Sequence, residues 1–147
     1  MKVALGCDPN ATTLKLALIE ELSELGHTVA DLGADDPVYA NVVIEVAEAV
    51  ARGDYDRGIV LCGTGLGASI AANKVPGAYC ALLTDCYQAE RATLSNNANM
   101  IALGAQVTGE KVARMIVRTY MSNEYVPGGR SELKIQRIFA YAKEHTK

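Results

Sequence analysis

The chain alternates between short uninterrupted apolar runs and longer stretches in which apolar residues recur at helical spacing. Short apolar runs are typical of strands buried on both faces, and the longer stretches indicate amphipathic helices. Strands are predicted over residues 2–5, 27–32, 58–61, 79–83 and 100–103. Helices are predicted over residues 12–25, 41–51, 68–73, 86–94, 109–121 and 131–143. This regular alternation predicts an α/β protein whose parallel sheet is covered by helices on both faces.

Five strands in this pattern favour a doubly wound sheet of order 2-1-3-4-5. In such a sheet the chain reverses direction between the first and third strands, and ligands bind where the loops after those strands meet. The two loops are residues 6–10 and 62–67, so we expect Asp8 and Cys62 to be neighbours. The last helix follows a Pro127-Gly128-Gly129 break and has no later strand to cover. We expect it to dock on a partner subunit.

Length and charge limit the kinds of protein that the chain can be. Of its 147 residues half are apolar, which suffices for one well-buried core, so a single domain over residues 1–147 is predicted. A net charge of −3 argues against binding to nucleic acid or to a membrane surface. No apolar stretch reaches the length of about 18 residues that a spanning helix needs, and no signal peptide is recognisable. A cytoplasmic protein is expected.

The cysteines and histidines do not form a metal-binding pattern. The four cysteines contain no C-x-x-C pair, and His27 and His145 lie far from them in sequence. Neither a metal site nor a cofactor is therefore expected. Three of the cysteines are interpreted as core residues, since free cysteines in a reducing compartment are mostly buried: Cys7, Cys80 and Cys86.

Cys62 differs from the other cysteines because of its position. It follows the apolar run 58–61 and precedes a loop that has glycine at positions 63, 65 and 67. Such glycines let the backbone approach a ligand closely before the next helix begins. Amides at a helix start carry partial positive charge, which lowers the pKa of a thiol and stabilises an oxyanion beside it. The pattern therefore predicts a thiolate base. Nucleotide binding is not favoured, since neither G-x-G-x-x-G nor G-K-[ST] is present.

The chain resembles the type B ribose-5-phosphate isomerase family, which includes galactose-6-phosphate isomerase subunits. The resemblance covers nearly the whole chain in order and spacing, in the segments VALGCD, CGTGLGASIAANKVPG, SNNANMIALGA and GGRSELKIQRI. It implies a Rossmann-like fold and a homodimer or dimer of dimers with shared active sites. It also implies an enzyme that interconverts aldose and ketose sugar phosphates without a metal or cofactor.

The same resemblance implies roles for individual residues. Cys62 would move a proton between carbon 1 and carbon 2 of the sugar through a cis-enediolate, which Thr64 and the loop amides would hold. The residues implied in binding the sugar are Asp8, Asn10, Tyr39, Gly63, Gly65, Gly67, Ser69, Asn96, Asn97 and Asn99. Phosphate binding would come from the partner subunit, through Arg130, Lys134 and the weaker candidate Arg137. Lys134 stands where arginine is more usual, and a solvated charged helix face is the alternative interpretation of these three residues.

The chain also departs from the pentose-phosphate members of that family. They typically read D-H after the first strand and H-N-x-A-N in the later block, where this chain has Asp8-Pro9 and SNNAN over residues 95–99. In the family the later histidine is assigned to opening the furanose ring, and Ser95 cannot act as an acid or base near neutral pH. A four-carbon aldose phosphate cannot close a furanose and needs no such step. Residues 89–98 and the Tyr39-Ala40-Asn41 segment resemble a branch that acts on tetrulose 4-phosphates.

Three hypotheses about function follow from these observations. The first is an isomerase that converts D-erythrulose 4-phosphate to D-erythrose 4-phosphate. The second is a ribose-5-phosphate to ribulose-5-phosphate isomerase with rearranged ring-opening chemistry. The third is a non-catalytic subunit that binds sugar phosphates, against which the presence of Cys62 and Thr64 argues.

Overall fold

The computed structural model describes residues 1–146, in which five strands form one parallel sheet with helices on both faces. The strands are β1 (Lys2–Cys7), β2 (Thr28–Asp31), β3 (Arg57–Cys62), β4 (Cys80–Leu82) and β5 (Met100–Gly104). The helices are α1 (Thr12–Glu24), α2 (Tyr39–Ala51), α3 (Leu66–Ala72), α4 (Cys86–Leu94), α5 (Glu110–Met121) and α6 (Glu132–Glu144), and a single 3₁₀ turn covers Pro9–Ala11. The predicted α/β class and doubly wound parallel sheet are confirmed.

The strand order is β2-β1-β3-β5-β4, so the predicted order was wrong at one side of the sheet. β5 lies between β3 and β4 because all five of its residues are buried, as an inner strand requires. β4 has only three residues and is half-buried beyond Cys80, which suits the outer position. The predicted reversal between β1 and β3 is confirmed, since β1 pairs with both β2 and β3.

The core consists of one apolar layer on each face of the sheet. Leu18 of α1, Ile101 of β5 and Ile116 of α5 are fully buried in the first layer. Val46 of α2 and Val60 of β3 are fully buried in the second, which also contains Cys62. Burial of a side chain of this size stabilises the fold by about 1.5–3 kcal/mol. The base predicted from sequence is thus anchored in the layer beneath α2 and α3.

A buried polar cluster joins the start of β3 to the end of α5. The Arg57 guanidinium lies over the Tyr120 ring, 4.5 Å from its centroid, and donates to the carbonyls of Tyr120 and Asn123. The Tyr120 hydroxyl donates to the Ala98 carbonyl at 2.8 Å. Burial raises the pKa of Tyr120, so the phenol stays a neutral donor. These contacts fix the segment before β5 at the amino edge of the sheet, the edge where the strands begin.

Helix α6 is packed differently from the other helices. Ile135 is its only buried residue within the part of α6 that the structure describes, and the Phe139 ring packs on Tyr79 with centroids 4.4 Å apart. Leu133, Ile138 and Tyr141 stay exposed. An exposed apolar helix face is consistent with the predicted docking on a partner, which stays a prediction.

No helix among residues 1–146 combines the length and the apolar character that crossing a membrane requires.

Candidate functional site

Asp8 and Cys62 lie together at the carboxyl edge of the sheet, the edge where the strands end. Cys7 is paired with Leu61 in the β1–β3 register, and the Asp8 N–H donates to the Leu61 carbonyl at 2.9 Å. The Asp8 carboxylate caps the following 3₁₀ turn, accepting from the Asn10 N–H at 2.8 Å. A cap of this kind holds the carboxylate in one orientation. The neighbourhood predicted from the strand reversal is therefore present.

The Cys62 thiol lies beneath the glycine loop with one polar contact. The residue is 5% exposed, and its Sγ accepts from the Gly65 N–H at 3.1 Å. Gly65 has a left-handed backbone with φ of +81°, and a Cβ at this position would lie 2.6 Å from the Leu82 side chain. Glycine is therefore required here on two grounds, since other residues disfavour this conformation and would clash. A thiolate sulfur is a good acceptor of a hydrogen bond from a backbone N–H of this kind.

The other cysteines are placed as the sequence analysis expected of core residues. Cys7 and Cys80 are buried, and Cys86 is partly buried at the start of α4. Burial raises the pKa of Cys7, and it raises the pKa of Cys80 to about 12. Both are neutral thiols near pH 7. Cys62 differs from them because its sulfur accepts a hydrogen bond from the Gly65 N–H of the glycine loop. Among residues 1–146 no three His, Cys, Asp or Glu side chains converge to hold a metal ion.

Thr64 is exposed in the glycine loop, and its backbone rests on the end of β5. Its Oγ1 accepts from the Leu66 N–H at 3.3 Å. Its carbonyl carbon and oxygen are so close to Gly104 that a Cβ there would lie 2.5 Å from both atoms. The position of the loop therefore requires glycine at residue 104 of β5, because any side chain there would clash with Thr64. Sequence reasoning missed this requirement.

Tyr39 reaches the same loop from the start of α2. Its hydroxyl occupies the space that a Cβ on Gly67 would take, so Gly67 is needed for this approach. Asp36 shapes the turn before α2, accepting from the Val38 N–H and the Asn41 amide, each at 2.8 Å. The hydrogen bonds from Asn41 and Val38 lower the pKa of Asp36, so the carboxylate that holds the turn before α2 is ionised near neutral pH. Sequence reasoning did not single out Asp36.

The asparagine block lies at the amino edge of the sheet, away from Asp8 and Cys62. The Asn99 carbonyl accepts from the Gly58 N–H at 3.0 Å, and the Asn99 side chain is bound to the backbone of Gly77 and Tyr79. Gly58 and Cys62 are four residues apart on β3, a rise of about 13 Å. Within one chain, the candidates Asn96, Asn97 and Asn99 therefore do not join the carboxyl-edge residues. Their place before β5, rather than after it, is the signal that could have shown this.

Ser69 and the charged residues of the tail also lie apart from Cys62. The Ser69 hydroxyl is directed at the Cys80 carbonyl, 3.5 Å away. Arg130 is exposed in the loop before α6, and Lys134 and Arg137 are exposed on α6. Because Phe139 of α6 packs on Tyr79, just before β4, the helix lies on the amino side of the sheet.

All of these candidates except Ser69 thus form two sets. The carboxyl-edge set is Asp8, Asn10, Tyr39, Cys62, Gly63, Thr64, Gly65 and Gly67. The amino-side set is Asn96, Asn97, Asn99, Arg130, Lys134 and Arg137. Each set borders a cavity: one of about 290 Å³ includes Asn10 and Thr108 in its wall, and one of about 370 Å³ includes Asn96, Tyr79 and Phe139.

Comparisons with known proteins return sugar-phosphate isomerases. A family model described as ribose/galactose isomerase matches residues 3–138. The chain is 41% identical over 145 residues to D-erythrulose-4-phosphate isomerase of Pectobacterium atrosepticum, covering 96% of this chain and 95% of that protein. It is 40% identical over 138 residues to ribose-5-P isomerase B of Listeria innocua, covering 92% and 93%. The structure of Clostridium thermocellum ribose-5-phosphate isomerase B superimposes with a TM-score of 0.92 at 40% identity, covering 99% of this chain and all of that one. Similarity alone does not choose between the two substrates.

Proposed function

Because the chain belongs to the ribose/galactose isomerase family and is a sugar-phosphate isomerase, we propose that it interconverts D-erythrulose 4-phosphate and D-erythrose 4-phosphate. The observation that carries this choice is the environment of Ser95. Its hydroxyl is bound by the Arg91 guanidinium at 3.1 Å, and that guanidinium is paired with Glu90 at 2.9 Å. An arginine does not lose its proton near neutral pH and a serine hydroxyl does not titrate there, so the Arg91–Ser95 pair supplies no acid–base group in place of the family histidine.

The chemistry proposed for the carboxyl edge needs no such group. The Cys62 thiolate removes a proton from carbon 1 of the ketose, the C–H electrons form the carbon 1–carbon 2 double bond, and the carbon 2 oxygen takes the negative charge. Return of the proton to carbon 2, with transfer of the oxygen-bound proton from O1 to O2, leaves the aldehyde at carbon 1. Thr64 and the loop amides would donate to the charged oxygen. The relatives named as isomerases favour this function over the non-catalytic subunit.

A substrate panel tests the choice of sugar. We expect kcat/KM for D-erythrulose 4-phosphate to exceed that for ribose 5-phosphate by about 10²-fold or more. Only ribose 5-phosphate needs a ring-opening group, and about 10²-fold is the lower end of the rate contribution of a general acid or base. Initial rates for phosphorylated sugars of three to six carbons would be compared per active site. A preference for ribose 5-phosphate would replace the tetrose proposal with the pentose one. Ser95→His is the matched variant, expected to raise turnover of ribose 5-phosphate without raising that of the tetrose.

We also propose that each active site is shared between two subunits. The carboxyl-edge set contains the base but none of the three tail cations, and the amino-side set contains those cations but no base. Since the two sets lie at opposite edges of one sheet, the amino-side set of one copy would complete the carboxyl-edge set of another. The exposed Leu133 and Ile138 on α6 support a contact of this kind. Arginine and lysine are suited to bind the substrate phosphate.

Complementation between inactive variants tests the shared site. Cys62→Ala and Arg130→Ala would be co-expressed with different tags and purified as the mixed assembly. We expect activity to return, because one site in the mixed dimer regains both an intact thiol and an intact tail. The control pairs Cys62→Ala with the double variant carrying both substitutions, which cannot regenerate a complete site. A verified mixed assembly that is no more active than this control would contradict the shared site.

A further inference from the structure

We propose that Lys15 is a positioning residue for the isomerase reaction, which holds Asp8 in place through a buried ion pair with Asp31. This inference deepens the isomerase proposal and rests on the sugar-binding role predicted for Asp8, whichever sugar phosphate is turned over. Lys15 lies in the first turn of α1 and Asp31 ends β2, so the pair joins the helix that follows Asp8 to the strand beside β1. Neither residue is among those that the sequence predicted for the site.

The Lys15 ammonium is buried, which is unusual for a lysine. Its side chain is 3% exposed, that of Asp31 is 40% exposed, and the Nζ lies 2.7 Å from the Asp31 Oδ1. Taking an ammonium out of water is costly unless it is paired in this way. The Lys15 charge also reaches Cys7, since burial raises the pKa of that thiol and the ammonium opposes the rise. The ion pair therefore lies close to the end of β1, beside the residue that precedes Asp8.

A chain of hydrogen bonds connects the ion pair to the backbone of Asp8. The Asp31 oxygen that binds Lys15 also accepts from the Gly33 N–H at 3.0 Å. The Gly33 carbonyl in turn accepts from the Cys7 N–H at 3.2 Å, and the N–H of Asp8 donates to β3 at 2.9 Å. The backbone before Asp8 is thus held to the loop after β2, and that of Asp8 itself to the neighbouring strand on the other side.

Lys15 also fixes the other end of the segment that contains Asp8. The Asp8 carboxylate caps the 3₁₀ turn Pro9–Ala11, and α1 begins directly after that turn, so only residues 9–14 separate Asp8 from Lys15. Because the ammonium binds Asp31, α1 cannot shift along β2 without breaking a buried ion pair. A site residue keeps its geometry when the elements on both sides of it are fixed by such supporting contacts. The pair is therefore assigned to holding the Asp8 carboxylate at the carboxyl edge of the sheet.

Steady-state kinetics of Lys15→Met tests this role. Methionine is unbranched and of similar length but has no charge, and the Asp31 carboxylate left behind can be hydrated because it is 40% exposed. We expect kcat/KM to fall by about 10-fold to 10²-fold, since a displacement of about 1 Å can cost about 10²-fold in rate. Lys15→Arg keeps the positive charge and should recover most of the activity. Each variant would be measured well below its thermal midpoint.

A double-mutant cycle with Asp8→Ala shows whether Lys15 acts through Asp8. Once that carboxylate is removed, Lys15→Met has nothing left to displace, so in the Asp8→Ala background it should change kcat/KM by no more than about twofold. A purely structural role would lower activity equally in both backgrounds. Arg52→Met is the control and should match the wild type, because the Arg52–Asp54 ion pair that it breaks has side chains 61% and 53% exposed.

The possible failures are distinguishable. The inference is overturned if Lys15→Met keeps wild-type kcat/KM, if it lowers kcat/KM equally in both backgrounds, or if Asp8→Ala alone has wild-type kinetics. If Lys15→Met did not fold, Asp31→Ala would take its place in the cycle with the same expectations. Each variant is compared with the wild type on the sugar phosphate that the wild type turns over fastest. A wild-type preference for ribose 5-phosphate would therefore remove the tetrose proposal and leave the test of Lys15 intact.

Discussion

Replacement of Cys62 by alanine is expected to lower kcat by about 10³-fold or more, because general acid–base catalysis contributes about 10²–10⁴-fold and the variant has no other group at the position of the sulfur. Folding should persist, since the substitution removes one buried atom from a layer otherwise held by side chains such as Val46 and Val60. The measurements are turnover and the exchange of carbon-bound hydrogen with deuterated water.

Cys80→Ala is the matched control for this variant. Cys80 is buried in the same apolar layer as Cys62, so its replacement leaves a cavity of the same kind without removing the proposed base. Its activity should equal that of the wild type. If Cys62→Ala kept turnover within about tenfold of the wild type, proton transfer by this thiol would be excluded, since the loss would fall below the usual range for a general base.

Gly104→Ala is expected to lower kcat/KM by about 10²-fold, although residue 104 contains no catalytic group. The new methyl would lie 2.5 Å from the Thr64 carbonyl carbon and oxygen, which are backbone atoms, so the loop must shift. Displacement of a catalytic group by about 1 Å can cost about 10²-fold in rate. Overpacking of this kind also destabilises a fold by about 1–3 kcal/mol.

Gly109→Ala separates the loop displacement from a general effect of added bulk. Gly109 precedes α5 with φ of −67°, which alanine adopts without strain, and a Cβ there meets no atom within 4 Å. We expect wild-type kinetics and an unchanged free energy of unfolding for this control, both measured under the conditions used for Gly104→Ala. Equal activity of the two variants would show that the position of Thr64 does not limit catalysis.

Much of the fold was predictable because the sequence patterns are local. The apolar runs and helical periodicities place every strand and helix within a few residues of its observed position. The placement of Asp8 and Cys62 at neighbouring strand ends followed from a general property of doubly wound sheets, in which the loops after neighbouring parallel strands meet. Neither inference required knowledge of the order of β4 and β5 in the sheet.

The parts of the site that were missed depend on the order of β4 and β5. The predicted order placed β4 beside β3, so that the end of β4, rather than the end of β5, would pair with the end of β3. With β5 beside β3 instead, Cys62 is paired with Gly104 and the Gln106 loop closes over Gly63. The same order brings the residues before β5 to the start of β3, far from the thiol. Strand order depends on which strand buries more apolar surface, a comparison between distant segments that local patterns do not contain.

The depth of the Cys62 sulfur also bears on chemical damage. Thiolates react with peroxide to give sulfenic acid, and their susceptibility rises with ionisation and with access to solvent. Here the sulfur is held under a glycine loop in a residue that is 5% exposed. Because so little of the residue meets solvent, we expect its sulfur to be oxidised more slowly than that of an exposed thiolate.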